Sequence, residues 1–288
     1  MSTDSKTAPR LDRTAVYQAL RRLGLGSGHV VFVHSSLSSM GHVEGGAEAV
    51  VDAFLDVLGP EGTLVVPTYT PSHRGPGSVF DPANDPSEVG RITEITRRRP
   101  GAVRSCHLRE SVAALGPAAN DMMRIHRAAA WAADGPFWKF YEMDARILLL
   151  GVPYFRSSFW HLIEQMLQPQ YGRWTEYEAR VKDLDGTERP LWFRSFGVGP
   201  DRQPPRDFNK LGARLEARGL VSVGTVGNAM GRLFRARDAF DVGVAEFRDD
   251  PMLFATTDEG LTQLRDGVMV GELGNEKSVV DPKLMYSA

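Results

Sequence analysis

The residues best suited to chemistry are His161 and Glu164, in the string SSFWHLIEQ. On a helix, a spacing of three puts both side chains on one face. A neutral imidazole beside a carboxylate can take a proton from an attacking group near neutral pH, because its ordinary pKa is about 6.5. That combination is a general base. The same spacing also fits a helix turn with a capped start and a surface glutamate, and spacing alone favours this plainer reading.

His107 stands in RSCHLRES, after a Pro100-Gly101 turn and before the apolar SVAALG. It could bind substrate or orient an intermediate, although a hydrogen-bonded structural histidine fits the string more simply. His34, at the end of a β-branched run, comes next, whereas His29, His42, His73 and His126 have no comparable context.

Other reaction classes lose support. The chain contains no Gly-x-Ser-x-Gly elbow, Walker loop, dinucleotide Gly-x-Gly-x-x-Gly after a strand, or His-Glu-x-x-His helix. Cys106 is the single cysteine, so neither an internal disulfide nor a cysteine zinc cluster can form. No ligand cluster has the spacing that would demand a metal. Gly45-Gly46 before a helix could meet an anion through backbone N–H groups, or could be only a turn.

These residues need elements to position them. Thr14 to Leu23 has helical spacing, and HVVFVHSSL reads as a buried strand that delivers a hydroxyl-rich loop to the mouth of a sheet. GGAEAVVDAFLDVLGPEG is an amphipathic helix, and TLVVPTY is a second buried strand, which together give a βαβ-like unit. A Pro/Gly/Asp-rich loop from Thr70 to Pro86 leads to a helix over 87–98, with Ser87 as its cap. ARILLLGV, Ala145 to Val152, is the strongest strand signal and runs into Ser157, Ser158 and a helix from Trp160 to Leu167. Thr175–Lys182 and Pro190–Phe196 read as an antiparallel hairpin around Asp185-Gly186, followed by a helix from Phe208 to Arg218. The predicted fold is α/β: a mixed sheet with a parallel βαβ-like core, flanking helices and an antiparallel hairpin extension.

Composition agrees with a cytoplasmic globular enzyme. Of 288 residues, 42% are hydrophobic and 24% charged, with a formal net charge of −2. That balance supplies no general basic field for nucleic acid, and the run Arg97-Arg98-Arg99 reads as a solvated helix end. No stretch is long and apolar enough to suggest a membrane span, and the N-terminus lacks the apolar core of a signal peptide. Residues 1–12 are expected to form a disordered tail, 13–270 a single domain and 271–288 a C-terminal tail.

Several strings resemble the aminoglycoside N3-acetyltransferases in order and spacing. They are VFVHSSLSSMGHVEGGAEAVVDAFLDVLGPEGTLVVPTYT, FDPANDPSEVGRITEITRRRPGAVRSCHLRESVAALGP and GPFWKFYEMDARILLLGVPYFRSSFWHLIE. The resemblance covers about residues 28–255 and implies direct acetyl transfer from acetyl-coenzyme A to an amine, with no covalent enzyme intermediate and no metal. It implies that Ser35, Ser36, Leu37 and Ser38 lie along the pantetheine arm, helped by Ser158, and that hydroxyls and N–H groups there polarise the thioester carbonyl. The family's His-x-x-Glu matches His161 and Glu164, which makes His161 the implied base; Glu164 would orient it or bind the cationic substrate. His107 is the secondary catalytic candidate. Asp81, in the FDP string, and Glu110 would supply negative charge to an aminated acceptor.

Departures from the pattern fall near the acceptor. Leu108 replaces the proline usual after His107, Ser157-Ser158 replace Asn-Thr, and Phe159 and Trp160 replace small or aliphatic positions. Bulky aromatics there would narrow the acceptor pocket around Trp160. A biosynthetic N-acyltransferase acting on another small amine and a silent ligand-binding homologue are the alternatives. Oligomeric state is not legible in the sequence.

Overall fold

The computed structural model describes residues 11–73, 78–123, 129–132, 135–183, 185–198, 206–255, 262–263 and 269–270. The C-terminal tail expected at 271–288 and His126 lie outside them. Leu11 and Asp12, assigned to the N-terminal tail on sequence, belong to the folded chain: Leu11 bridges Val43, and the Asp12 side chain caps the first helix by accepting from Ala15 N–H.

The elements follow as α1 (Arg13–Leu23), β1 (Val30–Ser35), α2 (Gly46–Leu58), β2 (Thr63–Pro67), β3 (Val79–Phe80), α3 (Arg91–Arg98), β4 (Val103–Arg104) and β5 (Val112–Leu115). Then come α4 (Ala119–Met123), α5 (Trp138–Glu142), β6 (Arg146–Leu150), α6 (Trp160–Leu167), β7 (Gly172–Lys182), β8 (Glu188–Val198), α7 (Asn209–Ala217), β9 (Ser222–Val226), β10 (Ala229–Arg235) and α8 (Ala236–Asp249).

Seven strands form a mixed sheet in the order β4-β5-β2-β1-β6-β10-β9. Its centre is parallel, with β1 between β2 and β6. Both flanks are antiparallel, through β5 on β2 and β10 on β6. The α/β mixed-sheet expectation therefore holds, and the βαβ-like unit is β1–α2–β2. The predicted hairpin is β7–β8, longer than the sequence suggested and joined by β3 in a separate three-stranded sheet.

Alternation along the central strands divides the core in two. Val31, Val33, Leu64, Val66, Leu148 and Leu150 pack with residues of α1 and α2 on one face. Phe32, Val65, Ile147 and Leu149 pack on the other with Trp160, Leu162, Ile163 and with Trp138 and Phe140 of α5. Each such buried side chain contributes about 1.5–3 kcal/mol relative to exposure, so the register of β1 is firmly set. Period two then puts His34 on the Phe32 face, where the two rings meet edge to face at 4.5 Å.

Two local expectations fail. Ser87 does not cap α3, which begins after Gly90; its Oγ instead bonds Thr93 Oγ1 at 2.7 Å, and its N–H donates to Glu94 Oε2 at 2.7 Å. The Arg97–Arg99 run is not simply solvated: Arg97 is held by Glu94, and Arg99 by Asp52 and Glu48. The acidic partners of this short basic run come from the same helix and from α2.

Candidate active site

Parallel strands β1 and β6 end side by side, so the segments that leave them meet at one edge of the sheet. From β1 come His34, Ser35 and the loop Ser36–Ser39. From β6 come Gly151, a 3₁₀ turn at Tyr154–Arg156, Ser157, Ser158 and then α6. Gly151 sits at φ +71°, where a Cβ would come within 2.6 Å of Ser39 Cβ. Glycine is thus what lets the two loops close on each other. Ser39 Oγ donates to Gly151 O at 3.1 Å and lies 2.8 Å from Ser36 Oγ, which in turn lies 3.1 Å from Ser38 Oγ.

The helix places His161 and Glu164 together as their spacing predicts, with His161 Nδ1 3.2 Å from Glu164 Oε2. Glu164 is not a surface residue; its side chain is 0% exposed. A buried carboxylate needs a counter-charge, and Arg206 Nε supplies it by donating to Oε1 at 2.9 Å, with Tyr171 OH at 3.4 Å. Burial pushes the Glu164 carboxyl up, but the Arg206 charge and the His161 hydrogen bond outweigh it and hold the group below the usual carboxylate range. Glu164 therefore stays ionised and accepts the Nδ1 proton, which leaves Nε2 with the lone pair. No hydrogen bond among the described residues engages that Nε2.

Burial lowers the His161 pKa, with the Arg206 charge acting in the same direction and Glu164 and Glu110 opposing them. The ring is 12% exposed and packs between Trp131, at 4.8 Å, and Phe208, at 4.9 Å. It is a neutral imidazole, aimed by a carboxylate and walled by aromatics.

The other candidates separate clearly. His107, stacked edge-on against Phe193 at 4.7 Å, is buried with Nδ1 2.6 Å from Glu110 Oε2, and the Glu110 charge reaches His161. His34 reaches the same region through Ser158. Asp81 does not serve as an open carboxylate: Oδ1 accepts from the Ala83 and Asn84 N–H groups, Oδ2 accepts from Asn84 Nδ2, and Lys182 lies 3.4 Å away. It shapes the turn that its own FDP string begins. Trp160 does not face an acceptor pocket. It is wholly buried, donates Nε1–H to Tyr154 O at 2.6 Å and stacks on Phe234 at 5.1 Å; Phe159 is equally buried. The expected narrowing by these two aromatics is thus corrected, since α6 turns both into the core. Burial pushes the Cys106 thiol up to about 11, so it stays protonated at neutral pH and is a poor nucleophile.

Arg206 and Tyr171 escape a reading of the sequence, because one precedes α7 and the other follows α6 outside any periodic pattern. Gly197 makes room for Arg206, as a Cβ there would meet its Nη2 at 2.4 Å. A surface cleft lined by Gly28, His29, Met143, Asp144 and Arg146 lies at the opposite ends of β1 and β6 and contains none of these groups. Among the described residues, no group of three or more His, Cys, Asp or Glu is placed to hold a metal ion, and no helix is long and apolar enough to cross a membrane.

The family model described as aminoglycoside 3-N-acetyltransferase matches residues 32–248, which span both loops and the His161–Glu164 helix. The chain belongs to that family. As an aminoglycoside 3-N-acetyltransferase family member, it is an acyl-CoA-dependent N-acyltransferase by class. It is 34% identical to aminoglycoside N(3)-acetyltransferase VII of Streptomyces paromomycinus over 265 residues, covering 81% of this chain and 90% of that one. Identity to the prophage-derived acetyltransferase-like protein YokD of Bacillus subtilis is 30% over 263 residues, covering 83% and 92%. The crystal structure of the acetyltransferase AAC(3)-Xa superposes with a TM-score of 0.73 at 32% identity, over 83% of this chain and 93% of the other.

Proposed function

We propose that the protein transfers acetyl from acetyl-coenzyme A directly to an amine of an aminoglycoside or related amino sugar in the cytoplasm, with His161 as general base. The observation that carries this reading is the buried Arg206–Glu164–His161 chain, which fixes the proton on Nδ1 and leaves Nε2 free to accept one. The acceptor nitrogen gives its proton to Nε2 as it attacks the acetyl carbon. The C–N bond forms, the C–S bond breaks, and the proton can pass on to the departing thiolate.

The loop from Ser35 to Ser38 fits the pantetheine arm, whose amides need short polar partners. Ser38 is exposed and Ser36 half-buried, and their hydroxyls already form one chain. Ser158 meets the same arm from the β6 side. Glu110, close enough to influence His161, would draw a cationic acceptor toward the base. Family relatives favour an aminoglycoside as acceptor: a histidine-to-alanine variant of AAC(3)-IVa, 26% identical to this chain, was crystallised with gentamicin.

Release of free thiol from acetyl-coenzyme A, measured across a panel of aminoglycosides and small amines, tests the proposal. It expects turnover with at least one aminoglycoside and an acetylated 3-amine in the product. Turnover confined to small non-sugar amines would move the acceptor class, and coenzyme A binding with no thiol release would make the chain a silent homologue.

A further inference from the structure

The contact between His34 and Ser158 holds one donor too many. His34 Nε2 lies 3.1 Å from the Ser158 N–H and 3.0 Å from Ser158 Oγ, across 124 positions of sequence. An imidazole nitrogen that accepts from an N–H must carry its lone pair there, so the ring proton is on Nδ1. Nε2 has one lone pair and two suitors. The N–H is fixed by the backbone turn into α6, while the hydroxyl rotates freely about its own bond.

Each neighbour of this contact leads toward the site. Ser158 precedes His161 by one turn, and His161 N–H donates to Ser158 O at 3.2 Å. His34 is the penultimate residue of β1 and Ser158 lies on the segment between β6 and α6, and both are buried. The Ser36 N–H, one of the groups expected to polarise the thioester, donates to Leu150 O at 2.9 Å and is not available. The ring of His34 stays uncharged: burial brings its pKa down to about 3, helped by the charge of Arg156. His34 Nδ1 is buried with no partner among the described residues.

We propose that the Ser158 hydroxyl is an oxyanion donor and that His34 is the positioning residue that holds it in readiness. In the resting site the hydroxyl shares Nε2 with the Ser158 N–H. As the amine attacks, the carbonyl electron pair moves onto oxygen and the hydroxyl turns from Nε2 to that oxygen, keeping its own proton. Nε2 retains the N–H, so no buried acceptor is left bare by the turn. The donor is thus kept desolvated but uncommitted. This inference rests on the acetyl-transfer reading; it narrows the carbonyl-polarising role to one hydroxyl and gives His34, which that reading leaves as scaffold, the task of holding it.

The test combines steady-state kinetics with ¹⁵N NMR of ring-labelled histidine in the full chain. Ser158→Ala should lower kcat about a hundredfold or more while changing KM for acetyl-coenzyme A only about twofold, the pattern of a group that acts in the transition state. His34→Leu should produce a comparable loss. Adding it to Ser158→Ala should cost little more, because both changes remove one unit. His34→Gln, whose side-chain carbonyl can accept from the Ser158 N–H, should recover at least about tenfold over His34→Leu, a recovery that lost packing alone would not give. The NMR spectrum should show one histidine as the neutral Nδ1–H tautomer from pH 8 to pH 5, and its signals should vanish in His34→Gln.

A Ser158→Ala kcat within threefold of wild type, fully additive losses, or an Nε2–H tautomer at His34 would each overturn the assignment. Absence of transfer by the wild type would instead overturn the underlying reading, and the tautomer measurement needs no turnover.

Discussion

Acidification should weaken the fold through His34 by an amount the structure sets. In the unfolded chain the ring titrates near 6.5, and in the fold burial lowers it to about 3. The folded value is the depressed one, so the contribution is fully present above pH 6.5 and is lost as pH falls toward 3. At pH 5 the unfolded ring is about 1.5 pH units below its own pKa and mostly protonated, while the folded ring is still neutral. At about 1.4 kcal/mol per unit, the loss is about 2 kcal/mol. His29 and His161 shift in the same direction, so the wild type alone does not isolate the effect. Urea denaturation of wild type and His34→Gln at pH 7, 6 and 5 does, because the variant carries no titrating ring at this position. The stability difference between them should move by about 2 kcal/mol in favour of the variant between pH 7 and pH 5. Parallel pH dependences would refute the claim that a neutral imidazole is locked beneath Ser158.

Glu164→Gln should cost about 3–5 kcal/mol in denaturant stability, since Arg206 is left as a buried charge without its counter-ion, and kcat should fall about a hundredfold or more as His161 loses its orienting acceptor. Trp160→Ala should lower stability by about 3–5 kcal/mol without widening the range of acceptors, which thermal melting and a substrate panel would show, because the indole stacks on Phe234 in the core. Ser36→Trp should weaken coenzyme A binding in calorimetry by more than about tenfold, about 1.4 kcal/mol, by filling the loop proposed for the pantetheine arm.

What the sequence made legible follows the strength of the apolar pattern. The run Arg146–Leu150 is buried at four of its five positions, and α2 buries Val50, Val51, Phe54 and Leu58, so both announced themselves. By contrast, α8 buries only Ala236, Ala239 and Gly243, a stripe too small to stand out. The antiparallel flank β9–β10 also went unread, although Gly227-Asn228 between two apolar segments is a hairpin signal. Glu164 was visible as a partner of His161, but its burial was not, because that depends on Arg206 arriving from a segment 42 residues away. For the same reason Trp160 looked like a pocket residue: its neighbour His161 faces the site, and only packing against Phe234 and Tyr154 shows which way the indole turns.

The central claim is that neutral His161 removes the amine proton. Its most direct measurement is the turnover of His161→Ala against wild type under saturating acetyl-coenzyme A and aminoglycoside, from pH 5 to pH 9, with coenzyme A affinity measured in parallel. The fold lowers the imidazole pKa, so the wild-type acid limb should lie below pH 6.5. Glu164, Glu110 and Arg206 are the ionisable groups around the ring that set it. The variant should bind coenzyme A as the wild type does, lose that limb, and turn over about a hundredfold to ten-thousandfold more slowly. Near-normal turnover with an unchanged pH profile would contradict the account and leave proton removal to His107 or to an amine that needs no base.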